Sequence, residues 1–178
     1  NNLQIPAEQK VYALAHLASC SLQERAEIVG KVNALNGPEE DRAAIFLSLC
    51  KLGRDKTALM NKILTIGIAD LKILQNTIEL LISIPEDQRM AFLDQARHLV
   101  GQAVISQAVI APDKKFAVLE ALKALPHDQR DRFVAQVIGA LQRHPDSIYS
   151  LGSHSRISII EAFFQIRSEN KIETIEKM

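Results

Sequence analysis

Three segments of the chain align without gaps at a spacing of 41 residues: TIELLISIPEDQRMAFLDQ around Arg89, VLEALKALPHDQRDRFVAQ around Arg130, and IIEAFFQIRSENKIETIEK around Lys171. Glu79, Glu120 and Glu161 match across the copies. So do Leu81, Leu122 and Phe163, then Ile84, Leu125 and Ile166, while Phe92 and Phe133 match in the first two. A unit of this size copied along a chain specifies a repeat architecture, in which each copy buries its apolar face against its neighbours. Upstream, LASCSLQERAEIV fits the same frame through Leu17 and Arg25, and LSLCKLGRDKTALM fits it through Leu49, Leu52 and Asp55, at a spacing nearer about thirty residues. A looser copy of the corner phrase, IPAEQK, stands at residues 5–10.

The phrase IPEDQR or LPHDQR at the middle of each unit reads as a stop signal fused to a start signal. Proline cannot continue a helix, because it has no N–H and restricts the residue before it, yet it suits the first turn of the next one. The acidic residues that follow favour the positive end of that helix. Between the corners the apolar residues recur at helical spacing, as in Phe133, Val137 and Leu141, or Leu71, Leu74, Ile78 and Leu81. Breaks at Ser21, Gly37-Pro38, Gly53, Gly67, Pro85, Pro112, Pro126 and His144-Pro145 imply about ten helices, mostly of about 12 to 18 residues. The composition agrees, since Leu, Ile, Ala, Gln, Glu, Lys and Arg dominate and strand signals are nearly absent. The matched Glu and Arg suggest an ion pair within each hairpin, Glu79 with Arg89, Glu120 with Arg130 and Glu161 with Lys171.

A string of such hairpins resembles the HEAT-like and armadillo-like α-solenoids, best over residues 71–178. The fold class expected is therefore all-α, a right-handed α-solenoid of about five helical hairpins with αα repeats of roughly 30 to 41 residues. One helical-repeat domain spans 1–178, with degenerate shorter units in 1–68 and regular 41-residue units in 69–178. The helix opened at Lys171 stops at Met178, well short of its counterpart after Gln129, so the chain reads as part of a longer polypeptide. The resemblance implies an extended scaffold whose second helices line a face that binds a peptide or protein. It carries over no catalytic residue.

Composition narrows the partners. Lys plus Arg equals Asp plus Glu at 21 each, so no global field draws in a polyanion or an anionic membrane, and nucleic acid is disfavoured. The longest uncharged run, LVGQAVISQAVIAP at 99–112, has 14 residues, short of the roughly 20 a spanning helix needs. It reads as a continued or short third helix, with an exposed apolar patch as its functional alternative. Cys20 and Cys50 lie in apolar helical stretches and read as buried free thiols, which places the chain in a reducing compartment, the cytoplasm, or a host cytosol if it is a secreted bacterial protein.

Signals for chemistry are sparse. His16, His98, His127, His144 and His154 form no HExxH or spaced Cys/His set, and no Gly-rich phosphate loop or GxSxG elbow occurs. The stretch HPDSIYSLGSHS at 144–155 is the one cluster in which an enzyme or accessory domain could hide a site; its Ser, Gly, Pro and Asp content is equally that of a connection. The reading is a non-enzymatic interaction scaffold with no cofactor and no metal. If Phe92, Ala96 and Leu99 on one second helix, and Phe133, Val137 and Leu141 on the other, face inward, then Asp94, Arg97, His98, Arg132, Gln136 and Arg143 are left as the partner-binding candidates.

Overall fold

The computed structural model describes residues 7–103, residues 110–143 and Ile160. Among them there is no strand. Eight α-helices run α1 (Ala7–Leu17), α2 (Leu22–Asn33), α3 (Glu39–Lys51), α4 (Lys56–Ile66), α5 (Leu71–Ile82), α6 (Arg89–Ala103), α7 (Pro112–Lys123) and α8 (His127–Arg143), with a 3-10 turn over Glu86–Gln88. The expected breaks fall between these helices, except Pro112, which is the first residue of α7, and His144-Pro145, which lies outside the described residues. Ser21 caps α2 through a reciprocal box with Glu24, Gly67 ends α4 in the left-handed region at φ 81°, Asp70 caps α5, and Pro112 opens α7.

The chain divides into two compact units, residues 1–90 and 91–178. In the first, α3 packs on α1, α2 and α5, and α2 packs on α4. Its core comprises Ile45, Leu49, Leu59, Met60, Ile63, Leu74, Ile78 and Leu81, all fully buried. In the second unit Phe92, Leu93, Ala96 and Leu99 of α6, Val118, Leu119 and Leu122 of α7, and Phe133, Val134 and Val137 of α8 are buried, as is Ile160. The inward stripes read from the sequence are thus confirmed at Phe92, Ala96, Leu99, Phe133 and Val137; the Leu141 side chain lies outside the described residues.

The repeated arginine has a different partner from the one its spacing suggested. Arg89 Nε donates to the carbonyls of Leu81 and Ile84 at 2.8 and 3.0 Å, and its Nη2 donates to Ile82 at 3.2 Å. Arg130 Nε reaches Leu125 O at 3.1 Å and its Nη2 reaches Lys123 O at 3.3 Å. Arg25, in the less regular first copy, makes the same pair of bonds, to Cys20 O and Ala18 O at 3.0 and 3.2 Å. In each case Nε takes the carbonyl five residues back and Nη2 the one seven back. No ion pair joins Glu79 to Arg89 or Glu120 to Arg130; the Glu79 carboxylate accepts instead from Gln75 Nε2 at 3.1 Å.

The physical reason lies in the corner. The last carbonyls of a helix need donors; after α5 the Ser83 and Ile84 N–H groups take Leu80 O and Leu81 O, and after α7 those of Ala124 and Leu125 take Glu120 O and Leu122 O, but Pro85 and Pro126 have no N–H, so the remaining carbonyls need other donors. The guanidinium, reaching back from the start of the next helix, supplies them. Where a helix ends on glycine the arginine is unnecessary: after α4 the Gly67 and Ile68 N–H groups cap Leu64 and Ile63 directly. Arg89 and Arg130 are 8% and 7% exposed, and burial pushes the Arg130 pKa below its ordinary value. The Arg130 guanidinium carbon also lies 5.4 Å from the centroid of the Phe92 ring, tying α8 to α6.

Replacing Arg130 with Lys should destabilise the fold by about 1 to 3 kcal/mol, because a point ammonium cannot reach both carbonyls while a charged, buried group remains. Arg25→Lys, at a half-buried corner, should cost less. Urea unfolding of the two variants checks the order; equal midpoints would show that the bonds fix nothing the rest of the corner does not.

Candidate functional site

The candidate residues lie on the faces of α6 and α8 opposite their buried stripes. Asp94, Arg97 and His98 are exposed on α6. On α8, Arg132 is exposed and Gln136 half-buried, and both line an open groove of about 620 Å³ with Ala135, Gly139 and Gln142. Arg143 closes the same helix, and its side chain lies outside the described residues. The two helices are held side by side by Gln95 of α6, whose Nε2 donates to Asp131 Oδ1 of α8 at 2.5 Å, and by the Phe92–Arg130 contact. The structure thus brings Arg132 and Gln136 together in one groove, and places Asp94, Arg97 and His98 on the exposed side of the neighbouring helix.

A second concavity was not foreseen. In the first unit the α1/α2 corner and the α3/α4 corner enclose a cleft of about 430 Å³, with Cys20 and Glu24 on one side and Arg54, Lys56 and Thr57 on the other. Lys56 is 4% exposed, and its ammonium donates to Gly53 O within its own corner. Glu24 is the capping partner of Ser21, and the hydrogen bonds from Ser21 hold its carboxyl below the usual carboxylate range. The principal charged groups of this cleft therefore already serve the corners that form it. The Glu86 carboxylate accepts from the Arg54 amide, which links the α3/α4 corner to the α5/α6 corner in turn. The available signal was the departure of LGRDKT from the corner phrase: Gly53 stands in the place of proline, and Thr57 in the place of the arginine.

Other expectations meet the structure unevenly. The 144–155 stretch lies outside the described residues, as does the middle of the uncharged run, although α6 continues into that run as far as Ala103 and Ile110 is buried. The exposed large apolar side chains of the described residues sit instead on the first helix pair, at Val11, Tyr12, Leu14 and Leu22. Among the described residues no group of three or more His, Cys, Asp or Glu side chains could hold a metal ion, and no helix is long and apolar enough to cross a membrane.

Both cysteines are free thiols, and they differ in environment. Cys20 is half-buried at the cleft, whereas burial pushes the Cys50 thiol up to about 11, an effect only partly opposed by Lys56. At pH 8 a thiol reagent should therefore modify one cysteine readily and the second only in denaturant. Cys20→Ser should abolish the fast phase and Cys50→Ser should leave it unchanged, as read by absorbance on titration with a chromogenic disulfide; two fast thiols in the native wild type would contradict the assignment. With these features in place, the comparisons with known proteins add no relative: no family model, no curated protein and no solved structure matches the chain.

Proposed function

We propose that the chain is a non-enzymatic interaction scaffold, an α-solenoid of helical hairpins that binds a peptide or protein on the face of its second helices. The observation that carries this reading is the open groove along α8, which contains Arg132 and Gln136, two of the residues left outward by the buried stripe. The contacts among the helices favour the same reading. First helices of successive pairs meet (α1 with α3, α3 with α5), and second helices meet (α2 with α4, and α6 with α8 through Gln95 and Asp131). Free thiols at Cys20 and Cys50 suit a reducing compartment such as the cytoplasm.

The test is a pull-down with the tagged chain, followed by measurement of Kd for each captured protein in purified form. Arg97→Glu combined with Arg132→Glu should weaken a true partner about tenfold or more, through loss of charge-assisted bonds. Lys72→Glu combined with Lys123→Glu, on exposed positions of the first helices, should leave Kd within about twofold. Unchanged affinity in the arginine variant, with an unchanged helical melt, would remove this face from consideration.

A further inference from the structure

Independently of the scaffold reading, we infer that the exposed apolar stripe of α1 pairs with the same stripe of a second copy of this chain, the two helices running antiparallel about a two-fold axis. Val11 and Leu14 of α1 are 70% and 65% exposed. The hairpin frame shows what these positions do in the neighbouring helices. The register that matches Leu17 with Leu49 and Cys20 with Leu52 sets Val11 against Ala43 and Leu14 against Phe46. Both residues of α3 are buried, and α3 is the helix that packs on both α1 and α5. In the 64-residue register that matches Leu17 with Leu81, Ile78 of α5 corresponds to Leu14 and is fully buried. The position that α3 and α5 close by helix packing is thus open on α1, so the surface left there is one shaped for another helix.

The pattern of the stripe selects an identical partner. Ala7, Val11 and Leu14 of α1, with Ala18 just past its end, are all exposed and follow one another at intervals of four, three and four residues, the spacing of a seam between two helices. That spacing reads the same from either end. So do the side-chain sizes, which run small, large, large, small. A two-fold axis through the middle of the stripe sets Val11 of each copy against Leu14 of the other, and Ala7 against Ala18, where small side chains let the helices approach. Lys10, the charged neighbour of Val11, falls opposite Ala15, so the axis sets no lysine against a lysine. At 1.5 Å per residue the seam is about 16 Å long. One helix pair of that length falls short of the roughly 800 Å² per partner of a standard interface, so the association is weak, and because the two patches are the same it closes at two copies.

Sedimentation equilibrium of the full chain in reductant, from about 10 μM to about 1 mM, tests the inference. The expected result is a monomer–dimer equilibrium with Kd below about 1 mM. Val11→Glu alone and Leu14→Lys alone should each weaken it about tenfold or more, because each buries a charge in the seam, while the helical melt stays unchanged, since both positions face solvent in the single chain. An equimolar mixture of the two variants should restore the dimer. The mixed pair sets the new carboxylate against the new ammonium in one layer and keeps Leu14 against Val11 in the other. Only the antiparallel arrangement does this, and only folded chains can show it. A wild-type chain that stays monomeric to about 1 mM overturns the inference, as does a dimer that neither variant weakens. A mixture no stronger than either variant alone overturns the antiparallel pairing, and growth beyond two copies overturns the closed symmetry.

Discussion

The structure depends on how its helix corners satisfy backbone carbonyls. A proline just past a helix end removes one N–H that could serve the corner, and buried carbonyls are expensive to leave unmade. Arg89 and Arg130 answer this from the beginning of the next helix, each through the carbonyls five and seven residues back, and Arg25 makes the same bonds at a corner where Ser21 stands in the place of proline. Because the donor sits on the second helix and the acceptors at or just beyond the end of the first, the bond forms only when the chain has folded back by the correct amount. It therefore sets the geometry of the pair as well as its end. A hydrogen bond to a charged group is worth about 1.5 to 3 kcal/mol net, enough to matter, while the buried and unbonded Nη1 of Arg89 and Arg130 offsets part of that gain.

The same requirement explains why the first half of the chain keeps the architecture and loses the phrase. The α3/α4 corner has no arginine in register; Leu52 ends the helix, Gly53 turns, and the Lys56 ammonium takes the Gly53 carbonyl. After α4, Gly67 in the left-handed region lets backbone N–H groups do the capping themselves. Between α2 and α3, Arg42 Nη1 reaches Leu35 O, again seven residues back, at 3.5 Å. Several chemistries thus meet one need, so residue identity drifts while helix order does not.

Most of the helix boundaries were legible in the sequence because they are set locally, by prolines, glycines and the Ser21 cap, and the inward stripes were legible because helical period fixes which side chains share a face. The arginine was seen but misassigned. Its match with Glu79 and Glu120 suggested an ion pair, whereas its constant distance from the corner residues Cys20, Ile84 and Leu125 held the correct answer. The α1/α2 with α3/α4 cleft was not legible, since it arises from corners some thirty residues apart in sequence. Of the candidate site, the outward positions Arg97 and Arg132 followed from the stripe. The groove itself, which depends on the small residues Ala135 and Gly139 between larger ones, did not, because a sequence shows a missing side chain without showing whether anything fills the space.

One geometric relation connects the corner to the outer face. At 3.6 residues per turn, a position nine residues beyond the arginine lies about half a turn around the same helix. His98 stands nine residues after Arg89, and Gly139 nine after Arg130. The arginine faces into its corner, where it is buried, so the opposite azimuth of each second helix is the one least engaged in closing the pair. Residues there can be small, polar or charged at little cost to the fold, and Asp94, His98, Gly101, Arg132, Ala135 and Gly139 are of these kinds. Under the proposed scaffold reading, stability and recognition fall on opposite sides of one helix, so that the outer face can vary from one copy to the next without disturbing the bonds that make the copies alike.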